Sequence, residues 1–156
     1  MPVSASDASE RDAIIQMARD TAVFSPEEVD TVGELFDEFL RDAKASGYYY
    51  LSYRENDAVL GFACWGPASF SSGATDLYWI CTAPAAQGRG VGQALFQAVE
   101  AAVRAAGRWL IVIWTSSRPE YASANRFYLR QGCVLAAQVP DYYDRGDDLC
   151  MYTRRL

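Results

Sequence analysis

Hydrophobic residues change period several times along this chain, and each change marks an element. Val29, Val32, Leu35, Phe36, Phe39 and Leu40 recur at intervals of three and four, which gives one helix an apolar stripe. Ser25-Pro26-Glu27-Glu28 starts that helix with a capping box and a first-turn proline, and Gly47 ends it just past Ala45. A shorter helix opens at Ser9-Glu10-Arg11-Asp12 and turns Ala13, Ile14, Met17 and Ala18 to one side. A third runs from about Val91, carries Leu95, Val99, Ala102, Val103 and Ala106 on one face, and stops at Gly107. A fourth spans Glu120 to Gln131 and closes at Gly132. Strand signals are of a different kind. Tyr48–Arg54 and Ala58–Trp65 flank the turn Glu55-Asn56-Asp57, and Asp76–Thr82 follows a polar loop from Gly66 to Thr75. Trp109–Trp114 is apolar without alternation, as expected of a strand covered on both faces. Cys133–Val139 and Asp148–Thr153 are the last two strands, with Pro140 to Asp147 read as a loop, and Pro2-Val3-Ser4-Ala5 carries only a feeble strand signal.

This order predicts a single α/β domain over residues 1–156: a mixed central sheet of six to seven strands with helices on both faces. At 156 residues the chain is long enough to bury a core. Its net charge of −6 argues against nucleic acid, which calls for a basic surface, and is compatible with a cationic substrate. There is no histidine, so imidazole metal sites and Ser-His-Asp triads are excluded. Cys64, Cys81, Cys133 and Cys150 stand singly inside apolar runs, which suits buried small hydrophobes and gives no metal spacing. No basic-then-apolar leader opens the chain and no run is long enough to span a bilayer. A cytoplasmic protein without a membrane partner is the expectation.

The candidate chemistry centres on Gln87-Gly88-Arg89-Gly90-Val91-Gly92-Gln93, between a strand and a helix. Such a loop presents unpaired amides and a helix N-terminus, both of which favour an anion. A dinucleotide fingerprint fails, because Gln93 stands where the third glycine would be and Trp114 where a ribose-binding acid would be. A nucleoside triphosphate loop fails for want of a lysine after any of these glycines.

Gln87-x-x-Gly90-x-Gly92 instead resembles the signature of the GNAT superfamily of N-acetyltransferases. A second segment, Ala124-Asn125-Arg126-Phe127-Tyr128-Leu129-Arg130-Gln131-Gly132-Cys133, is similar to the family's A-x-x-x-Y-x-x-x-G-F helix. The resemblance covers residues 25–156. It implies the family fold, with a splay between the fourth and fifth strands that receives acetyl-CoA. It further implies that the amides of Gly88, Arg89, Gly90, Val91, Gly92 and Gln93 hold the cofactor's diphosphate beside Gln87, with Arg89 adding charge. The main chain of Ile80, Cys81 and Thr82 would pair with the pantetheine arm. Tyr128 matches the tyrosine that donates a proton to the departing sulfur, and a phenol is protonated at neutral pH. Asp76 aligns with the glutamate that takes the amine's proton in one branch, one methylene shorter here. Two departures stand out. Trp114 replaces a carboxylate found in other relatives, and Tyr121 replaces an asparagine that contacts CoA, leaving Asn125 one turn further on as the candidate.

Asp141, Tyr142, Tyr143, Asp144, Asp147 and Asp148 form an acidic, aromatic cluster, and Trp65, Phe70, Tyr78 and Trp79 add aromatic surface near the expected mouth. The resulting reading is acetyl transfer to the primary amine of a small molecule or amino acid derivative. Acetylation of a protein or peptide amine, transfer of a longer acyl chain or to a hydroxyl, and a CoA-binding module without catalysis are the alternatives. The resemblance also implies a possible homodimer through apolar strand edges near the C-terminus.

Overall fold

The computed structural model describes residues 2–156; Met1, the first residue of the expected domain, lies outside them. Four helices form: α1 (Arg11–Asp20), α2 (Pro26–Ser46), α3 (Val91–Ala105) and α4 (Ala122–Arg130). The expected capping box closes at α2, where the Glu28 amide donates to Ser25 Oγ at 3.1 Å and the Ser25 amide to Glu28 Oε1 at 3.3 Å. Gly47 ends that helix in the left-handed region. At α1 the cap lies earlier than the sequence suggested. Asp7 caps a short 3-10 turn, Ala8–Glu10, that leads into the helix. Glu10 folds back on the Asp7 amide and is buried against Arg54 and Ser52, so its chemistry ties the turn to the sheet.

Seven strands make one sheet: β1 (Val3–Ala5), β2 (Tyr49–Glu55), β3 (Ala58–Pro67), β4 (Ala74–Thr82), β5 (Leu110–Ser116), β6 (Val134–Asp144) and β7 (Asp147–Arg155), in the order β1-β2-β3-β4-β5-β7-β6. The feeble first strand is present, held to β2 by three register pairs. All neighbours are antiparallel except β4 and β5. The expected loop at 140–147 is instead strand, with only Arg145 and Gly146 outside the hairpin's two strands. The acidic side chains hide this from the pattern. Asp148 accepts from the Asp141 amide and Asp141 from the Gly146 amide, so carboxylates stitch an irregular ribbon that lacks alternation.

Each face of the sheet buries its own core. Val91, Leu95, Phe96, Val99 and Val103 of α3 pack with Ala63, Leu77, Ile111 and Ile113 on one face; of the predicted stripe, Leu95, Val99 and Val103 are buried, Ala102 is partly buried, and Ala106 is exposed at the helix end. Ile14, Val29, Val32 and Phe36 of α1 and α2 pack with Tyr50, Phe62, Cys64 and Cys81 on the other. At about 1.5–3 kcal/mol for each fully buried side chain, these faces hold the central strands firmly. That rigidity matters because the sheet is open at its centre.

Candidate active site

β4 and β5 are in register at Ala74↔Leu110, Thr75↔Ile111 and Asp76↔Val112, and then part. β4 runs on to Thr82 with nothing paired on that edge, while β5 stays paired to β7 as far as Ser116. A register shift opposite Cys64 and Trp65 leaves Tyr78 as an extra residue in β4, and such a bulge bends its strand at the point of divergence. A wedge therefore opens between two well-packed strands. Its β4 edge, Leu77 to Thr82, carries main-chain groups with no strand partner there.

On one side of the wedge lies a cleft of about 510 Å³. Its floor is the loop that leads into α3. Gly88 and Gly90 take φ of 76° and 80°, a region in which a side chain is strained, and Gly90 is the N-cap residue of α3 without any side-chain cap. The first helical bond runs from the Ala94 amide to the Gly90 carbonyl at 3.0 Å. The six consecutive amides of residues 88–93 find no acceptor among the described residues. Six donors and a helix N-terminus at one place fit the diphosphate of CoA, and the open edge at Ile80, Cys81 and Thr82 fits an amide-bearing arm. Gln87, Gly88, Gly90, Val91, Gly92 and Gln93 all line this cleft with Ile80, Cys81 and Thr82. Arg89 does not: its guanidinium is held by Glu55 at 2.7 and 2.9 Å. The cation that lines the cleft is Arg130, the last residue of α4, whose place inside the second motif gives no sign of it.

Tyr128 stands where this cleft meets a second one of about 550 Å³. Thr21, Ile80, Cys81 and Ala124 line both with it. The tyrosine is buried against Phe127 and Tyr152, and its hydroxyl has no hydrogen-bond partner among the described residues. Burial, with smaller contributions from Cys81 and Cys133, raises its pKa, so the phenol is a proton donor throughout the neutral range. Burial also lifts the Cys81 thiol to about 12, which removes it as a nucleophile at neutral pH.

The second cleft is aromatic and acidic. Phe24, Tyr78, Trp79, Trp114, Tyr121 and Tyr143 wall it, and Glu28, Glu120, Asp144 and Asp147 face it. Tyr121 donates to the Val23 carbonyl at 3.3 Å and so pins the segment before α2 over the cleft. Asp147 is buried, accepts from the Ser116 hydroxyl, and lies 3.5 Å from Arg118. Only part of the expected acidic cluster arrives here. Asp141 and Asp148 are used within the β6–β7 ribbon, and Tyr142 packs edge-on to Trp114. Two expected mouth residues lie elsewhere. Trp65 stacks on Tyr49 at 4.6 Å in the core, and Phe70 is fully exposed on a loop. The resemblance implies that the first two helices help wall the acceptor site, and Glu28 at the start of α2 does line this cleft; Thr21, Val23, Phe24, Arg118 and Glu120 carried no local signal in the sequence.

Asp76 lines a smaller recess of about 290 Å³ with Leu77, Val112, Tyr78 and Trp114, and the last two residues also wall the second cleft. Burial raises its pKa. Asn125 lines neither cleft. Its amide donates to the Ser116 carbonyl at 3.2 Å, tying α4 to β5, and its Oδ1 is buried without a partner. Among the described residues, no group of three or more His, Cys, Asp or Glu is placed to hold a metal ion. No helix there is long and apolar enough to cross a membrane.

This arrangement has close counterparts. A model described as the acetyltransferase (GNAT) family matches residues 12–133. A crystal structure of a Desulfovibrio desulfuricans protein assigned to the GNAT family superposes with a TM-score of 0.95 at 35% identity, covering 98% of this chain and 97% of that one. The Salmonella typhimurium protein YncA, solved with its cofactor acetyl-CoA, gives 0.77 at 22%, covering 99% and 92%. A ribosomal-protein-alanine N-acetyltransferase from Brucella melitensis gives 0.80 at 17%, covering 100% of each chain. The latter two likenesses speak to fold alone. No protein of curated function matches the sequence.

Proposed function

Because the chain belongs to the acetyltransferase (GNAT) family, we propose that it transfers the acetyl group of acetyl-CoA to the primary amine of a small molecule or amino acid derivative, by direct attack with both substrates bound. The observation that carries this reading is the run of unpaired amides at 88–93, five of whose residues line a cleft that meets the acceptor-side cleft at Tyr128. Acetyl-CoA supplies an activated acyl group as a thioester. The rest is done by this chain. The amides of 88–93 and Arg130 bind the diphosphate, and the free edge at Ile80, Cys81 and Thr82 orients the arm. A main-chain amide of that edge stabilises charge on the carbonyl oxygen. Asp76, acting through a water, takes the proton that the amine loses as the C–N bond forms. Tyr128 gives a proton to the sulfur as the C–S bond breaks, so the charges balance. The high pKa of Cys81 supports direct attack over acylation of the protein.

Acceptor size is read from shape. Thr21, Val23, Phe24 and Glu28 crowd the acceptor-side cleft together with Tyr121, which supports a small molecule over a chain lying in an open groove. The likeness to a protein-alanine acetyltransferase keeps the peptide alternative concrete. Mass spectrometry of a panel of amines and peptides incubated with acetyl-CoA is expected to give acetylated small amines. Products from peptides alone would overturn the acceptor reading. Asp76 lies outside the acceptor-side cleft, which is the observation favouring a non-catalytic CoA-binding module, and any turnover in the panel excludes it. Four buried, unpaired cysteines support a reducing cytoplasmic setting. The edge strand β6, exposed along its length with Val134, Leu135 and Val139 outward, supports a homodimer, measurable by sedimentation.

A further inference from the structure

Hydrogen bonds join the two sides of the wedge unevenly. At the closed end the Arg108 guanidinium donates to the Ser71 and Ala74 carbonyls at 3.1 and 2.8 Å, and the Trp109 and Leu110 amides both donate to the Gly73 carbonyl at 3.1 Å. Arg154 of β7, level with Ile111, reaches Glu100 of α3 at 2.8 Å. Beyond the last paired residues, Asp76 and Val112, the open end is crossed by one hydrogen bond among the described residues. There the Tyr121 hydroxyl donates to the Val23 carbonyl at 3.3 Å.

Val23 belongs to a strap, residues 21–24, that joins α1 to α2. The strap's other hydrogen bonds are local. The Thr21 hydroxyl donates to the Ala18 carbonyl at 2.8 Å, and the Ala22 amide to the Arg19 carbonyl at 3.4 Å. Ala22 sits at φ 59°, the left-handed region that crowds a Cβ. A segment with one distant hydrogen bond and a strained residue opens more readily than the core beneath it.

Placement gives this weakness a use. Thr21 lines both clefts together with Ile80, Cys81, Ala124 and Tyr128, and Val23 and Phe24 continue along the acceptor side. Tyr121 lines the acceptor-side cleft and not the cofactor-side one, so its hydroxyl ties one wall of that cleft to another and makes no cofactor contact. A thioester at the junction needs such a tie, because water is a competing acceptor. Water adds to the carbonyl carbon, the C–S bond breaks, and acetate, a proton and the free CoA thiol are left.

We infer that Tyr121 and the strap at 21–24 form a clasp across the open end of the wedge, which opens to pass the acceptor and its product and shuts to keep water from the bound thioester. Tyr121 is then a positioning residue that acts through the strap. The clasp rests on the acetyltransferase reading only for what it shields.

Tyr121→Phe keeps the ring and removes the donor. Cys81 reports on opening, because it is buried yet lines both clefts beside Thr21. Cys64 lies in the same core, Cys133 and Cys150 in the opposite one, and none of the three lines either cleft, so they report general loosening. Labelling of the full protein by N-ethylmaleimide without CoA, read by peptide mass mapping, is expected to quicken about fivefold or more at Cys81 in the variant and to stay within about twofold at the other three. With acetyl-CoA and no acceptor, the variant is expected to consume acetyl-CoA about fivefold or more faster by chromatography, while its CoA affinity by calorimetry stays within about twofold. In a protein that binds CoA, equal labelling of Cys81 in parent and variant, faster labelling of all four cysteines, or faster labelling of Cys81 with unchanged hydrolysis would overturn the inference. A calorimeter that detects no CoA binding to either protein would sink the acetyl-transfer reading instead, and the Cys81 labelling would then judge the clasp alone.

Discussion

The two clefts that meet at Tyr128 are built on different principles. The cofactor-side cleft takes most of its lining from one stretch of chain, between Ile80 and Gln93, which supplies an open strand edge, free amides and a helix N-terminus, with α4 opposite. The acceptor-side cleft is lined by residues brought together from five places: the segment leading into α2, β4, the end of β5, residues 118–128 and the β6–β7 hairpin. Main-chain recognition needs only that the backbone take one conformation, so it is written locally, in glycines. Side-chain recognition depends on which distant segments converge. In the proposed reaction the first would hold the cofactor and the second would set specificity.

The largest expected effect lies at the junction. Tyr128→Phe keeps the ring packed against Phe127 and Tyr152 but removes the donor, so kcat is expected to fall by about 10²–10⁴ while CoA affinity changes by less than about threefold. Stopped assays together with calorimetry separate the two. A variant that turns over normally would move the proton donor elsewhere in the wedge.

Asp76→Asn comes next, with kcat/KM expected to fall by about 10–100-fold. It also carries a stability signature of opposite sign. Burial holds the folded carboxyl above its ordinary pKa, so the folded chain keeps that proton to a higher pH than the unfolded chain does. Stability is lost as pH rises through that window, and the ionised carboxylate is a net cost at neutral pH. The variant is therefore expected to melt higher than the parent at pH 7, and the gap is expected to close below a pH of about 4. A variant that is slower and also less stable at pH 7 would make Asp76 a structural residue.

Gly90→Val addresses the main-chain half of the comparison. No neighbour lies within 4 Å of the added Cβ, so the penalty is backbone strain, about 1–2 kcal/mol or somewhat more for a branched side chain. Gly107→Val, at a φ of 73° beyond the far end of α3, carries similar strain away from the clefts. Both are expected to lower Tm, but only Gly90→Val to weaken CoA binding, by about tenfold or more. Equal losses of affinity would mean that general loosening, not loop geometry, controls the site. The smallest effect concerns charge. Arg130→Gln is expected to weaken CoA about two- to fivefold and Arg89→Gln hardly at all, since Arg89 is already paired with Glu55 on the surface.

The asymmetry between the clefts also governs what could be read from the chain alone. Gly88 and Gly90, the strand before them and the motif around Tyr128 declare the cofactor side without any knowledge of tertiary contacts. Arg89 was misleading because a motif gives a residue's position but not its partner, and Glu55 lies across the sheet's end. Trp65 looked like a mouth residue because β3 is apolar on both faces, and the pattern does not say which face opens on a cleft. Glu28 read correctly as a helix cap and gave no hint that its carboxylate also faces a cavity. Asp147 was visible only as one acid among several. Its burial against Ser116 depends on how far β5 and β7 run, and the interrupted ribbon at 139–147 concealed that.

Hydrogen–deuterium exchange of the amides at residues 88–93, with and without CoA, tests the main-chain cradle most directly. These donors have no internal acceptor and are expected to exchange fast in the free protein and to slow markedly when CoA is added, while residues 143–147 change little. CoA binding that leaves 88–93 unprotected would contradict the account.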